Sequence, residues 1–376
     1  MSRPRPTSTP GRLVGWLRGD PVRAVNTLVV VVALVAAFAF PAFAGAPRIG
    51  VGFVALVYAY RNVTWNIAGG FAGLLSLAHA SAFGIGAFAV AVLTWGHGWN
   101  AWLSLLVGVL LSGVLGLVVS LLMSRFGVNA FFFALGTLAL TAALAGIAAT
   151  WKVVGASSGL QNTRNDQGLA HLQWFVDPTP FYYTALVFLV LVTAGTAAMM
   201  RFTRFGRSLP FIREDPVMAA SMGVPVVRNQ ALAMALSMGL TAVAGTLIAQ
   251  FVQFASYESV FTVEIGVSML VGTIVGGAGT LAGPIVGGIG LAILEEALRS
   301  FNVSSASVSS YTQIVYGALV ILLLRFGSNG IVPLWNALLG RVSGARGRPQ
   351  PGGVVPAERS GGDAPAAITR PREGAV

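Results

Sequence analysis

The chain has 376 residues, 55% hydrophobic and 9% charged, with a mean hydropathy of +0.78; soluble domains carry about 25% charged residues, so a water-covered globule is excluded. Its formal net charge of +11 comes from arginines in the tails and in short loops beside apolar blocks, a pattern of membrane topology and not of a nucleic-acid surface. A single lysine, Lys152, and no cysteine exclude a P-loop ATPase, disulfides, thiol catalysis and thiolate metal sites. The scattered His79, His97 and His171 have no metal-ligand spacing.

Residues 1–24 form a basic segment with Arg3, Arg5, Arg12, Arg18 and Arg23 against Asp20. The apolar block at 25–44 ends in Ala42-Phe43-Ala44 like a signal peptide. It exceeds the roughly 7–15 residues of a signal core, so the expectation is a retained first span. Further blocks lie at 48–68, 71–95, 100–122, 129–150, 181–200, 229–252, 264–282, 283–299 and 310–325, near the roughly 20 residues a helix needs to cross the bilayer. The expected fold class is all-α, a polytopic transmembrane helical bundle of about ten spans over residues 25–326. Residues 327–376 are rich in Pro, Gly and Arg without apolar periodicity, and a largely disordered tail is expected there.

Arginine bias predicts the orientation. With the N-terminus inside, Arg125, the segment 201–228 and the tail arginines lie on the cytoplasmic side and 151–180 lies outside, with Arg48 and Arg299 as isolated exceptions.

Three segments do not read as ordinary spans. From Asn66 to Phe88, the glycines Gly73, Gly84 and Gly86 and the polar residues Ser76, His79 and Ser81 interrupt an apolar run. A broken helix at membrane depth needs protein or water to satisfy its backbone, so a pathway lining and close helix packing are both consistent with the pattern. From Gly272 to Gly290, Gly276, Gly277, Gly279, Gly283 and Pro284 favour two short or re-entrant helices over one rod. Between these two lies Arg213-Glu214-Asp215-Pro216, followed by Ala219, Ala220 and Gly223. Asp before Pro is a helix start and Gly223 a helix stop, which predicts a two-turn helix outside the membrane whose small apolar surface, Val217, Met218, Ala219 and Ala220, is able to enter a groove on another protein or, with the flanking arginines, to rest on lipid headgroups. Glu258 and Glu264 flank a predicted loop and Glu295-Glu296 a span end, where interfacial placement costs little.

In this order and spacing the three segments resemble the permease subunits of the branched-chain amino-acid ABC importers, the LivM type, over residues 62–326. The resemblance rests on Gly70-x-x-Gly73-x-x-Ser76-x-x-His79-Ala80 continuing to Gly84 and Gly86, on Gly206-Arg207 through Gly223, and on Gly276-Gly277-x-Gly279-Thr280-x-x-Gly283-Pro284. It implies a type II ABC importer-like permease in a bacterial cytoplasmic (inner) membrane with both termini cytoplasmic. The implied partners are a sister permease, two cytoplasmic ATPase subunits that bind the ATP, and an extracytoplasmic solute-binding protein; the chain itself would hold no cofactor and catalyse no reaction. Glu214 to Gly223, with Arg213, would be the ATPase-coupling helix, and Asn66, Ser76, His79, Ser81 and Thr137 would border the transport pathway. Leu74 and Ala78 stand where many members have Gln and Gly, which leaves the solute open between branched-chain or related small amino acids and urea or short amides. A self-sufficient channel or secondary carrier is the alternative from another class.

Overall fold

The computed structural model describes residues 21–126, 129–164, 168–174 and 177–300, with a few isolated positions beyond. The expected span at 310–325, the basic segment 1–24 and the tail 327–376 lie largely outside the described residues. The described helices are α1 (Pro21–Phe43), α2 (Ala46–Asn66), α3 (His79–Val90), α4 (Ala101–Arg125), α5 (Ala130–Thr150), α6 (Thr179–Phe202), α7 (Arg204–Glu214), α8 (Pro216–Ser221), α9 (Val226–Val252), α10 (Tyr257–Val260), α11 (Val263–Gly276) and α12 (Gly283–Ser300). α2 and α3 each run on into a π-helical turn, Ile67–Phe71 and Ala91–Gly96.

The chain therefore forms the expected polytopic helical bundle. Among the described residues, six stretches are long and apolar enough to cross a membrane: His79–Gly96, Ala101–Arg125, Phe131–Thr150, Thr179–Phe202, Val226–Val252 and Tyr257–Gly276. α2 has the length, but Arg48, Arg61, Asn62 and Asn66 lower its hydropathy. The span expected at 71–95 starts at His79, and that expected at 264–282 stops at Gly276, because irregular backbone separates each from its neighbour.

α2 and α9 are the hubs: α9 packs on α4, α3 and α2, while α2 packs on α12, α6 and α11. The most apolar stretch of α9 is 72% buried against 28% for α4 and 22% for α5, so α9 is enclosed by protein while α4 and α5 turn most of their apolar surface outward. Contact between α3 and α9 is backbone on backbone. A Cβ at Gly86 would fall 1.9 Å from the Ala242 carbonyl oxygen, and one at Gly245 would fall 1.9 Å from that of Phe83. With lipid as apolar as leucine, such close approach, and not hydrophobic burial, is what holds membrane helices together. The Thr246 hydroxyl, donating to the Gly86 carbonyl at 3.0 Å, adds a polar tie.

The bundle has two distinct ends. Leu117 and Leu121 of α4 share an apolar hollow of about 600 Å³ with Ala220, Pro225 and Arg228, so the end of α4 carrying Arg125 lies with the 201–228 segment. At the opposite end a two-residue strand β1 (Leu160–Gln161) pairs antiparallel with β2 (Phe254–Ala255). Trp102 Nε1 donates to Leu169 O there at 2.8 Å, and Gln250 Nε2 to His171 O at 2.7 Å. Arg125 and the 201–228 segment thus lie at one end of the bundle, and the described residues of 151–178 at the other.

Candidate functional site

The two glycine-rich breaks, far apart in sequence, meet at the arginine-rich end. The first covers residues 72–78, where Gly73 takes φ +75°; the second covers 277–282, where Gly277 and Gly279 take φ +124° and +78°. These are backbone conformations that a Cβ disfavours. Asn66, at the end of α2 and 1% exposed, ties the helix that leads into the first break to the second break: its Oδ1 accepts from Gly279 N at 2.8 Å and its Nδ2 donates to Thr280 O at 2.8 Å. A Cβ at Gly70 would lie 1.7 Å from Asn66 Oδ1 and 2.7 Å from Gly279 N, so the side chain at that position must be hydrogen.

Non-helical backbone inside a membrane protein needs its polar groups satisfied locally. The first break uses α5 for this. Leu77 N–H donates to Thr137 Oγ1 at 3.0 Å, and Thr141 Oγ1 donates to Leu77 O at 3.3 Å. In the second break Thr280 Oγ1 accepts from Gly283 N at 3.0 Å and donates to Gly277 O at 2.7 Å, which starts α12 beside Pro284. Gly276 and Gly283 lie against each other, since a Cβ on Gly276 would sit 1.8 Å from Gly283 O. Gly84 is a packing glycine: its Cβ would enter the Phe261 ring at 2.3 Å.

The segment between the breaks is a helical pair. Thr203 caps α7, its hydroxyl accepting from Gly206 N at 2.9 Å. The buried residues Gly206, Leu209 and Ile212, spaced by three, put one face of α7 on the bundle, and its Leu209 packs with Phe71, Ala72 and Ala233. Asp215 then caps α8, accepting from Val217 N at 2.8 Å and Met218 N at 3.0 Å, with Pro216 at the first helical position. Gly223, at φ +81°, ends it. The expected apolar surface differs in one member: Ala219 is 1% exposed and faces its own bundle, whereas Val217 (79%), Met218 (60%) and Met222 (62%) project outward. The i+4 spacing from Met218 to Met222 places the latter on the outer face and leaves Ala219 on the inner one.

Arg213 closes the site. At the C-terminal turn of α7, where a cation is favoured by the helix carbonyls, its NH1 donates to Gly70 O at 2.6 Å. A Cβ on Gly73 would lie 3.2 Å from Arg213 Cγ, and one on Gly279 2.3 Å from its NH1. The guanidinium therefore sits against both breaks. Glu214 and Asp215 are exposed beside it.

Of the polar residues assigned to the pathway, Asn66, Ser76, His79, Ser81 and Thr137 are all wholly buried within the bundle. Ser237 donates to Thr64 O at 2.6 Å, so the 2.7 Å contact between Ser237 Oγ and His79 Nε2 requires the histidine nitrogen to be the donor. Ser81 and Thr141 share a hydrogen bond of 2.9 Å, Ser76 Oγ accepts from Ala78 N at 3.2 Å, and the Ser76 carbonyl accepts from Trp65 Nε1 at 2.9 Å. Together these side chains make a polar seam between α2, α3, α5 and α9.

A second polar cluster carries Arg61, Tyr58 and Ser268, which sequence reasoning missed, together with Glu295, which it placed only at a span end. Arg61, in the interior of α2 and 4% exposed, lies 3.5 Å over the Tyr58 ring and donates to Ser268 Oγ on α11 at 2.7 Å. Tyr58 in turn donates to Glu295 on α12 at 2.5 Å. An arginine inside an apolar block is the signal that could have found it, because an intramembrane charge requires partners. Glu258, by contrast, is exposed and accepts from Tyr257.

A family model described as the permease component of the branched-chain amino acid transport system matches residues 49–324. Among curated relatives, the high-affinity branched-chain amino acid transport system permease protein LivM of Escherichia coli (strain K12) is 25% identical over 337 residues, 85% of this chain and 77% of the relative. LivM of Salmonella typhimurium (strain LT2) is 25% identical over 330 residues, 83% of this chain and 76% of the relative. No solved structure matches the chain.

Proposed function

The chain belongs to the branched-chain amino acid permease family of ABC transporters, and from that premise we propose that it is the membrane-spanning subunit of an ATP-driven importer for branched-chain or related small amino acids, sharing its pore with a sister permease. It is a transport component and not an enzyme, as its relatives are permease proteins. The observation that carries the coupling assignment is α8. This short helix, capped by Asp215 and ended by Gly223, presents Val217, Met218 and Met222 at the arginine-rich end, an apolar knob that fits a groove on a cytoplasmic ATPase subunit. Arginine bias supports placing that end, and both termini, in the cytoplasm of a bacterial inner membrane. The opposite end, closed by residues 151–178, faces the solute-binding protein.

In this reading two partner ATPases bind and hydrolyse ATP, and the chain itself needs no cofactor. Closure of the ATPases moves α8 and shifts the permease between inward and outward access. The buried seam of Asn66, Ser76, His79, Ser81 and Thr137 is sealed in the present conformation and borders the route when the helices part. Its hydrogen bonds are made within the protein, so exposing it to water exchanges partners at small net cost. The test is ATP-dependent uptake by the reconstituted complex with Ala220→Glu or Gly223→Glu. Both variants insert and lose uptake; normal uptake by either would refute the coupling assignment.

A further inference from the structure

Resting on the reading of α8 as the ATPase contact, we infer that Arg213 is the positioning residue that links α8 to both helix breaks, so that movement at the ATPase contact is passed to the breaks through one guanidinium. Three observations on separate elements converge on this. Arg213 lies two residues before the Asp215 cap, and so moves with the start of α8. Its NH1 holds Gly70 O at 2.6 Å, at the π-turn entering the first break. The same nitrogen lies against Gly279 in the second break, where any side chain would displace it. Asn66 binds Gly279 and Thr280, so the second break is tied to the end of α2 that leads into the first, and Arg213, against Gly70, Gly73 and Gly279, connects both to α8.

The geometry makes this contact sensitive to small displacements. A shift of α8 by about 1 Å along the 2.6 Å bond stretches it to about 3.6 Å, beyond hydrogen-bond reach. The helix must then either draw the π-turn with it or release it. Apolar packing of Leu209 with Phe71 and Ala72 guides the direction of that motion, but apolar contacts slide, whereas a charge-assisted hydrogen bond is directional. The planar guanidinium offers five donors in a fixed fork; a lysine ammonium offers a point charge on a flexible stem.

The experiment uses the whole importer, permease pair with ATPases and binding protein, in nanodiscs and proteoliposomes. Arg213→Gln retains the ATPase subunits at wild-type stoichiometry, and the solute carried per ATP hydrolysed falls at least tenfold. Arg213→Lys recovers part of that ratio, because an ammonium can still donate to Gly70 O. The absence of native cysteine allows spin labels at Ser221→Cys and Leu281→Cys, on α8 and in the second break. With Arg213 present the label distance stays a single narrow population through the ATP cycle, and with Arg213→Gln it broadens or splits. A wild-type transport-to-hydrolysis ratio in Arg213→Gln, or an unaltered label distance, overturns the inference. If the wild-type chain binds no ATPase at all, it is the reading of α8 that fails, and this is scored before any Arg213 variant is made.

Discussion

Replacing Gly86 by alanine tests the claim that α3 and α9 are held by backbone contact. The new Cβ would lie 1.9 Å from the Ala242 carbonyl oxygen and 2.8 Å from Ala242 Cα, whereas a relaxed carbon–oxygen contact is about 3.3 Å. The helices must separate by about 1.4 Å at this point, since the obstacle is backbone and has no rotamer to yield. Overpacking of this kind costs roughly 1–3 kcal/mol. Separation also weakens the Thr246 bond to the Gly86 carbonyl, worth about 1 kcal/mol, for a total near 2–4 kcal/mol. Gly195 on α6 is the matched control: it is helical, and a Cβ there meets nothing within 4 Å, so Gly195→Ala should be neutral or stabilising by up to about 1 kcal/mol. Thermal unfolding in a single mild detergent, followed by size-exclusion recovery, ranks the two. A Gly86→Ala protein that melts at or above the temperature of Gly195→Ala would rule out backbone contact as the hold between α3 and α9.

Asn66→Leu removes both bonds from the end of α2 to the second break and leaves the Gly279 N–H and Thr280 carbonyl without their partner, a loss of about 2–4 kcal/mol; faster hydrogen exchange at Gly279 is the expected readout, and unchanged protection would contradict the bridge. Asp215→Ala removes the α8 cap at about 0.5–2 kcal/mol, with exchange rising at Val217 and Met218 before any change in α9. Met218→Glu places a charge on the outer face of α8 and should abolish ATP-dependent uptake while leaving membrane insertion intact, as surface biotinylation would show. Arg61→Met removes the cation between Tyr58 and Ser268; a lowered melting temperature is expected, because Tyr58 and Glu295 lose the charge beside them.

Much of the architecture was legible in hydropathy, since a span must be about 20 apolar residues whatever its partners. The Asp215-Pro216 start and the Gly223 stop of α8 were legible because caps act within a few residues. Helix α7 was not: Pro210 inside it argues against a helix, and only the three-residue spacing of Gly206, Leu209 and Ile212, with Thr203 before them, signals one. The glycines of the two breaks stand out in the sequence, but not which of them turn the chain, like Gly73 and Gly279, and which admit a neighbour, like Gly84 and Gly86. That depends on what the fold brings opposite. The same holds for Arg61 and Tyr58, whose partners Ser268 and Glu295 are more than 200 positions away along the chain, and for the meeting of Arg213 with Gly70 and Gly279.

On the proposed function, this chain supplies a passage and draws its energy from partners gripping α8. The most direct test is solute flux in liposomes, measured for the purified chain with its sister permease alone and for the same pair joined to its ATPases and binding protein. Concentrative uptake of a branched-chain or related small amino acid only in the complete assembly, and only with ATP, is the predicted result. Uphill or channel-like flux through the chain without ATPases would contradict it.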